Sequence, residues 1–439
     1  MKLLHLTAGL LLAAWLASCA NGRTETHVAR DTGPTPVLAE PQSRLIPTVD
    51  IAPAVGWKDG SGPVAAPGLA VSAFARGLDH PRTVYVLPNG DVLVAETNAP
   101  PKPDDGKGIK GAVMKAVMKK AGAGVPSANR ITLLRDADRD GVAETRSVFL
   151  EGLHSPFGIA LVGADLYVAN TDAVVRFPYR EGDTSIAAAP VKVVDLPAGT
   201  INHHWTKSMV ASADGRHLYV GVGSNSNVGE NGIENEVDRA AVLQIDLAAG
   251  AARVFSSGLR NPTALAWQPH DGSLWVVVNE RDELGNDLVP DFLTSLRDGA
   301  FYGFPYSYYG QHVDTRMKPQ DPARVAQAIA PDYALGSHVA PLGLAFYTGH
   351  SLPPRFQGGA FIGLHGSWNR KPLSGYKVVY VPFQQGKPAG PIETVLDGFV
   401  DGEGNAQGRP VGIAQDGSGA LLVADDVGNT IWRLHAAMP

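Results

Sequence analysis

Five stretches of this chain gather the side chains that could do chemistry. INHHWTKS, from Ile201, holds the adjacent His203 and His204, and GLRNPTALAW, from Gly258, holds Arg260 and Asn261. NERDELGND, from Asn279, is an acidic turn with Asp282 and Glu283, followed by the aromatic phrase FYGFPYSYYG at Phe301. LHGSWNRKP, from Leu364, ends near Arg370 and Lys371, and GRPVGIA, from Gly408, places Arg409. An imidazole with an ordinary pKa of about 6.5 can accept a proton at neutral pH. A guanidinium presents a planar fork that grips carboxylates with two donors at once. A sixth stretch, Asp136, Asp138 and Asp140 with Gly141, spells a DxDxDG string whose alternate carboxylates suit calcium. The twelfth position of an EF-hand loop would need a bidentate Glu and is Ser147, although Glu144 lies within the loop. Each group also has a plainer use. Paired histidines can be hydrogen-bonded packing, Arg260 can tie elements together through carbonyls, acidic runs are often solvated, and Asp with Gly makes hairpin turns.

The elements that would position these groups repeat six times. DVLVAET at Asp91, DLYVANT at Asp165, HLYVGVG at His217, SLWVVVN at Ser273, AFIGLHG at Ala360 and ALLVADD at Ala420 are apolar runs that end at a small or polar residue. Such runs are buried strands. Further apolar segments follow several of them: NRITLLRD, DAVVRFPY, AAVLQIDL, YKVVYVPF and NTIWRLHA. One small sheet cannot bury both its faces, so a repeat of several strands implies blades around an axis. The expected fold is all-β, a six-bladed propeller over 67–439, with loops at one end of a central channel. The 50 glycines and 33 prolines suit its density of turns. An insertion at 98–128 follows the first phrase. Its Ile109, Val113, Val117 and Met118 recur at helical spacing among Lys110, Lys115, Lys119 and Lys120, which predicts a short basic amphipathic helix.

A net charge of −6 gives no basic footprint for nucleic acid. At the N-terminus Lys2 precedes the apolar LLHLTAGLLLAAWLA, which ends in Leu16-Ala17-Ser18-Cys19. This reads as a signal over 1–19 whose Cys19 accepts a lipid, followed by a flexible tether over 20–66. Ala20 and Asn21 carry no acidic retention signal, so the expected address is the periplasmic side of the outer membrane, with the lipid as the sole membrane contact. Cys19 is the only cysteine, which removes disulfides and cysteine-based metal sites.

From about Gly77 to Leu434 the chain resembles the quinoprotein sugar dehydrogenases, most of all the branch called sorbosone dehydrogenase-like. These are six-bladed propellers that hold pyrroloquinoline quinone (PQQ) with calcium. The matching phrases are HHWTKSMVASADGRHLYVGVG, the G-x-R-N-P phrase at Arg260-Asn261-Pro262, and NERDELGND with Tyr302-Gly303-Phe304-Pro305. The resemblance implies His204 as general base and Arg260 beside the quinone oxygen. It implies Asn261, Arg370, Lys371 and Arg409 toward the cofactor, and Asp282 with Glu283 toward calcium; Arg82, in HPRT before the first blade, is placed toward the cofactor by its pre-strand position alone. The implied activity is oxidation of a sugar, or of an aldehyde or alcohol derived from one, with electrons passed to a cytochrome or quinone. Two departures stand out. Glucose-oxidising relatives have an acidic residue after the base-bearing strand where this chain has Ser224 and Asn225, and one of two paired arginines is Gln407. A calcium-dependent propeller lactonase and a non-catalytic binding scaffold are the competing readings. His154, before the second blade, is a further candidate for the channel.

Overall fold

The computed structural model describes residues 31–42, 48–101, 120–122 and 124–437. Cys19, the apolar leader and the helix expected at 109–119 lie outside these residues. The fold is a six-bladed β-propeller. Each blade is built on four antiparallel strands. Blade one is Pro81–Val86, Val92–Glu96, Arg130–Arg135 and Thr145–Leu150; blade two is Gly158–Val162, Asp165–Ala169, Ala173–Pro178 and Val191–Asp195. Blade three is Met209–Ala211, His217–Val222, Ala241–Asp246 and Ala251–Ser257; blade four is Asn261–Trp267, Leu274–Asn279, Pro290–Ser295 and Tyr333–Ser337. Blade five is Pro341–Phe346, Ala360–Leu364, Lys377–Val381 and Glu393–Asp397; blade six is Pro410–Gln415, Leu421–Asp425 and Thr430–Ala436, completed by Leu69–Arg76 from the start of the chain. The first strand of each blade touches the first strands of its two neighbours, so these six strands line the axis. Among the described residues the longest helix is Pro322–Gln327.

The six repeated phrases are the second strands of the six blades. They read as unbroken apolar runs because both faces are covered: alternate residues point to opposite neighbours. In blade four, Val276 and Val278 pack toward blade three, while Trp275 and Val277 pack toward blade five. Six such clusters fill the six interfaces among the described residues. A fully buried Val or Leu contributes about 1.5–3 kcal/mol, so each interface is stabilised largely by these strands. Near the axis side chains must vanish. A Cβ on Gly343 would lie 2.0 Å from the Val411 carbonyl oxygen, and one on Gly412 would lie 2.4 Å from that of Arg82.

The segment expected to be a tether behaves otherwise where it is described. Thr32–Gly33 pairs with Tyr333–Ser337, and Val64–Ala65 pairs with Glu393–Asp397, adding a fifth strand to blades four and five. Ala52 is fully buried and Trp57 packs edge-on against Phe399 and Trp432. Unsatisfied edge strands and an apolar flank draw this stretch onto the propeller.

In each blade the first strand starts at one end of the ring and the second returns to it. The residues just before the first strand and just after the second therefore converge there. In blades one, five and six the first strand opens on a proline followed by a bulge, at Pro81, Pro341 and Pro410, and in blade four the bulge follows Pro262 at the second position. A proline tolerates a strand's first position and a bulge re-aims the side chains beside it.

Candidate active site

A cavity of about 270 Å³ occupies that end of the axis. It is lined by His204, Arg260, Asn261, Asp282, Arg82 and Arg409, all singled out from the sequence. It is also lined by His80, His338, His365, Asp426, Glu280 and Asn369, which were not. A second axial cavity, at the level of Thr83–Val86 and Thr263–Leu265, is walled by the first strands themselves.

His204 sits five residues before the first strand of blade three, and its Nδ1 lies 2.7 Å from the Ser224 carbonyl oxygen and 3.2 Å from Ser224 Oγ. Ser224 Oγ donates its own hydrogen to the Ser226 carbonyl at 2.6 Å. Both oxygens facing Nδ1 are thus acceptors, so Nδ1 carries the proton and the basic lone pair is on Nε2. A backbone carbonyl therefore orients the ring. Gly223 permits this approach, because a Cβ there would lie 2.4 Å from both His204 Cβ and Asn261 Oδ1.

The loop before His204 is clamped from below. Arg239, 5% exposed, donates to the carbonyls of Pro197 (3.1 Å), Ala198 (2.9 Å) and Gly223 (3.0 Å) and to Asn202 Oδ1 (2.9 Å). It thereby joins the residues leading into His204 to the strand end that orients it. Burial lowers its pKa to about 10, which leaves it charged at neutral pH. Lys207 is fully buried nearby and donates to the Trp205 carbonyl at 3.1 Å; burial and Arg239 hold its pKa well below the usual lysine value.

Two carboxylates organise the cavity. Asp426 accepts from Arg82 NH1 at 2.5 Å and from His365 Nε2 at 2.9 Å, with His80 Nε2 at 3.6 Å. Burial opposes its charge, but His365, His80 and Arg82 outweigh it and the carboxyl pKa falls far below the usual range. Burial lowers His365 to about 4 and also lowers His80, so both rings are neutral beside an ionised Asp426. Asp282 accepts from Arg260 at 3.3 Å and from Asn369 Nδ2 at 2.7 Å, and faces His338 Nδ1 at 3.6 Å. Burial opposes its ionisation too, but Arg260 and His338 keep its pKa lowered, and in return Asp282 overcomes burial and raises His338. Asp291, held by the amides of Glu280 (2.7 Å) and Ala340 (2.8 Å), is pushed up to about 7 by burial.

Arg260 reaches the Asn227 carbonyl (3.3 Å), the carbonyls of Asn279 (3.4 Å) and Glu280 (2.6 Å), Asn227 Oδ1 (3.0 Å) and Asp282. It ties blades three and four together through carbonyls while its charge faces the cavity. Arg370 and Lys371 are not among the cavity residues. Arg370 pairs with Asp287 at 2.8 Å, and Lys371 is exposed, its carbonyl accepting from Asn286. Glu283 is not among them either. Of the aromatic residues, Trp368 lines the cavity, whereas Tyr302, Tyr308 and Tyr309 fill the interface of blades three and four.

Asp136, Asp138, Asp140 and Glu144 place four carboxylate oxygens within 4.8 Å of one another. Their loop joins the third and fourth strands of blade one, so it lies at the opposite end of the ring from the cavity.

Among the described residues, five buried polar atoms on residues that line the cavity lack a hydrogen-bond partner: the donors Arg82 Nε and Arg409 Nε, and the acceptors Asn261 Oδ1, Asn279 Oδ1 and Glu280 Oε1. An orphan of this kind costs about 1–3 kcal/mol. Five in one cavity mark a place built to receive a polar ligand and a cation.

A family model described as TrAA12-like matches residues 63–291 and 298–437. A PQQ-dependent pyranose dehydrogenase of Coprinopsis cinerea is 22% identical over 84% of this chain, which spans 54% of that protein. An uncharacterised protein of Borreliella burgdorferi is 28% identical over 67% of this chain and 79% of its own. In structure, the holo PQQ domain of the Coprinopsis cinerea enzyme matches with a TM-score of 0.68, at 21% identity, over 88% of this chain and all of that one. A calcium structure of a Trichoderma reesei protein of Carbohydrate-Active Enzymes Family AA12 matches with 0.69, at 20% identity, over 89% and 99%. At those identities the structural likeness speaks for the fold.

Proposed function

Because the chain belongs to the TrAA12-like family, we propose that it is a PQQ-dependent dehydrogenase that oxidises a pyranose sugar, or an aldehyde or alcohol derived from one. The observation that carries this reading is the union, in one cavity, of an imidazole with its lone pair set on Nε2 and five buried, unpartnered polar atoms. Those atoms suit the cofactor. Arg82 and Arg409 each carry an unpartnered Nε donor suited to its carboxylates, and Arg409 is buried with its guanidinium 4.8 Å above the Tyr376 ring. Asn279 Oδ1 and Glu280 Oε1 offer hard oxygens to calcium, in the same turn as Asp282 but ahead of it. Asp282, whose oxygens already serve Arg260 and Asn369, acts as the counter-ion of Arg260.

When bound, PQQ supplies the two-electron acceptor for the hydride. His204 Nε2 takes the proton of the substrate hydroxyl, and the Ser224 carbonyl steadies the ring as it becomes cationic. Arg260 supplies positive potential at the cavity wall. The gain from each depends on the dry, low-dielectric setting that burial provides. The acidic turn at Asp136–Asp140 takes no part in this reaction and serves as a candidate structural cation loop. The leader ending at Cys19 supports a lipid-anchored, periplasmic address with a cytochrome or quinone as external acceptor.

The test is reconstitution. The protein is expected to bind PQQ in the presence of calcium, with the quinone absorbance appearing on the protein, and to reduce a dye with one of a panel of pyranoses and aldehydes. His204→Ala is expected to keep PQQ binding and lose dye reduction by at least about a hundredfold. Absence of PQQ binding would refute the proposal, and full turnover by the variant would refute the base.

A further inference from the structure

A second cleft, of about 320 Å³, opens beside the central cavity at the end of blade two. Its polar groups come from His154, Asp172, Thr200 and Asn202, and its apolar surface from Pro100 and Pro101. The two spaces share rims on two sides. Asn98 lines the cavity and Pro100 the cleft; His204 lines the cavity and Asn202 the cleft. Residues two apart lie within about 7 Å, so one ligand can occupy both. His154, expected from the sequence to reach the channel, opens here instead.

The cleft has a definite chemistry. His154 Nδ1 pairs with Asp172 Oδ2 at 2.8 Å, with both side chains about half exposed. The backbone beneath the pair is fixed, because Thr171 N donates to the His154 carbonyl and Asn170 Oδ1 accepts from His154 N. The Asn202 amide is held at both ends, by Arg239 and by Thr171 Oγ1 at 2.8 Å, so its orientation is set before any ligand arrives. An exposed His–Asp pair adds little to stability. Among the described residues no lysine or arginine lines the cleft. Closely spaced donors and acceptors beside a proline surface match a sugar ring, whose edge carries hydroxyls and whose faces carry C–H groups. The geometry points to a second saccharide subsite: it holds the next ring of a disaccharide or longer chain whose terminal ring enters the central cavity. The assignment of the terminal ring rests on the dehydrogenase reading.

Calorimetry on the cofactor-free full chain tests the subsite without turnover. The probes are glucose with cellobiose, galactose with lactose, and xylose with xylobiose. At least one disaccharide is expected to bind about tenfold more tightly than its monosaccharide. Asp172→Ala, and Thr200→Trp as a steric block at an exposed position, are expected to remove that gain while monosaccharide affinity stays within about twofold. Disaccharides that bind no better than monosaccharides in all three pairs, or variants that weaken both partners of a pair alike, overturn the subsite. If discrimination depends on Asp172 while the reconstituted enzyme reduces no dye, the dehydrogenase reading falls and the subsite stands. If dye is reduced without discrimination, the subsite falls alone.

Discussion

Replacing Arg239 with alanine would remove the clamp beneath the candidate base. Four acceptors lose their donor: the carbonyls of Pro197, Ala198 and Gly223, and Asn202 Oδ1. Hydrogen bonds from a charged donor contribute about 1.5–3 kcal/mol each, or about 6–12 kcal/mol gross. Desolvating a buried guanidinium costs several kcal/mol, and water can enter the vacated space, so the expected net loss is about 3–5 kcal/mol. In a protein of this size that lowers Tm by roughly 3–6 °C. The effect on chemistry is larger than on binding. The Gly223 carbonyl is one residue from the one that orients His204, and residues 197–202 lead directly into it. A shift of about 1 Å at the base costs on the order of a hundredfold in kcat, with KM little changed. Lysine keeps the charge but concentrates its donors on one atom, so Arg239→Lys should recover part of the stability and little of the rate. Denaturant melts, dye-reduction kinetics and the nitrogen chemical shifts of His204, which report its tautomer, give three readouts. A variant with an unchanged melt, rate and tautomer would refute the clamp.

Asp426→Asn leaves Arg82 buried without its carboxylate and is expected to destabilise the fold by about 3–5 kcal/mol in urea unfolding. Asp291, with a folded pKa of about 7 against about 3.9 unfolded, makes stability fall as pH rises from about 4 to 7, a loss of order 4 kcal/mol. His365, at about 4 against about 6.5, has the opposite sign, because stability falls as pH drops from about 6.5 to 4. Asp291→Asn should therefore make unfolding free energy climb more steeply between pH 4.5 and 7 than in the unaltered protein; an unchanged slope would contradict the raised carboxyl. Calcium is expected to raise Tm through the turn at Asp136–Asp140, and an Asp138→Asn, Asp140→Asn double substitution to reduce that rise without altering PQQ affinity.

The second strands were legible because burial on both faces writes unbroken apolar runs, and all six phrases are strands of the expected kind. The third strand of blade four, Pro290–Ser295, was missed, since PDFLTS mixes buried polar and apolar residues. The pairing of Leu69–Arg76 with Thr430–Ala436 leaves no local mark in sequence. The cavity residues split along the same line. His204, Arg260, Asn261 and Arg409 flank first strands and were found, whereas His365 and Asp426, which follow second strands inside the quoted LHGSWNRKP and ALLVADD, went unnamed. Proline opening a first strand was the available signal for His80 and Ala340, which precede Pro81 and Pro341 with φ of 52° each. Arg370 and Lys371 were misplaced because the path of the loop beyond Asn369, not its composition, decides which way those side chains leave.

The strand supplied by the chain's beginning to its last blade has a consequence for biogenesis. Arg82 and Asp426 meet across 344 positions of sequence, next to the seam where the two ends are stitched. During synthesis the other blades can stack as they emerge, but the ring stays open until Thr430–Ala436 has left the ribosome. The final step of maturation therefore both shuts the ring and brings that buried ion pair into being, so a molecule truncated before Thr430 loses its seam and, with it, the support of that cavity wall.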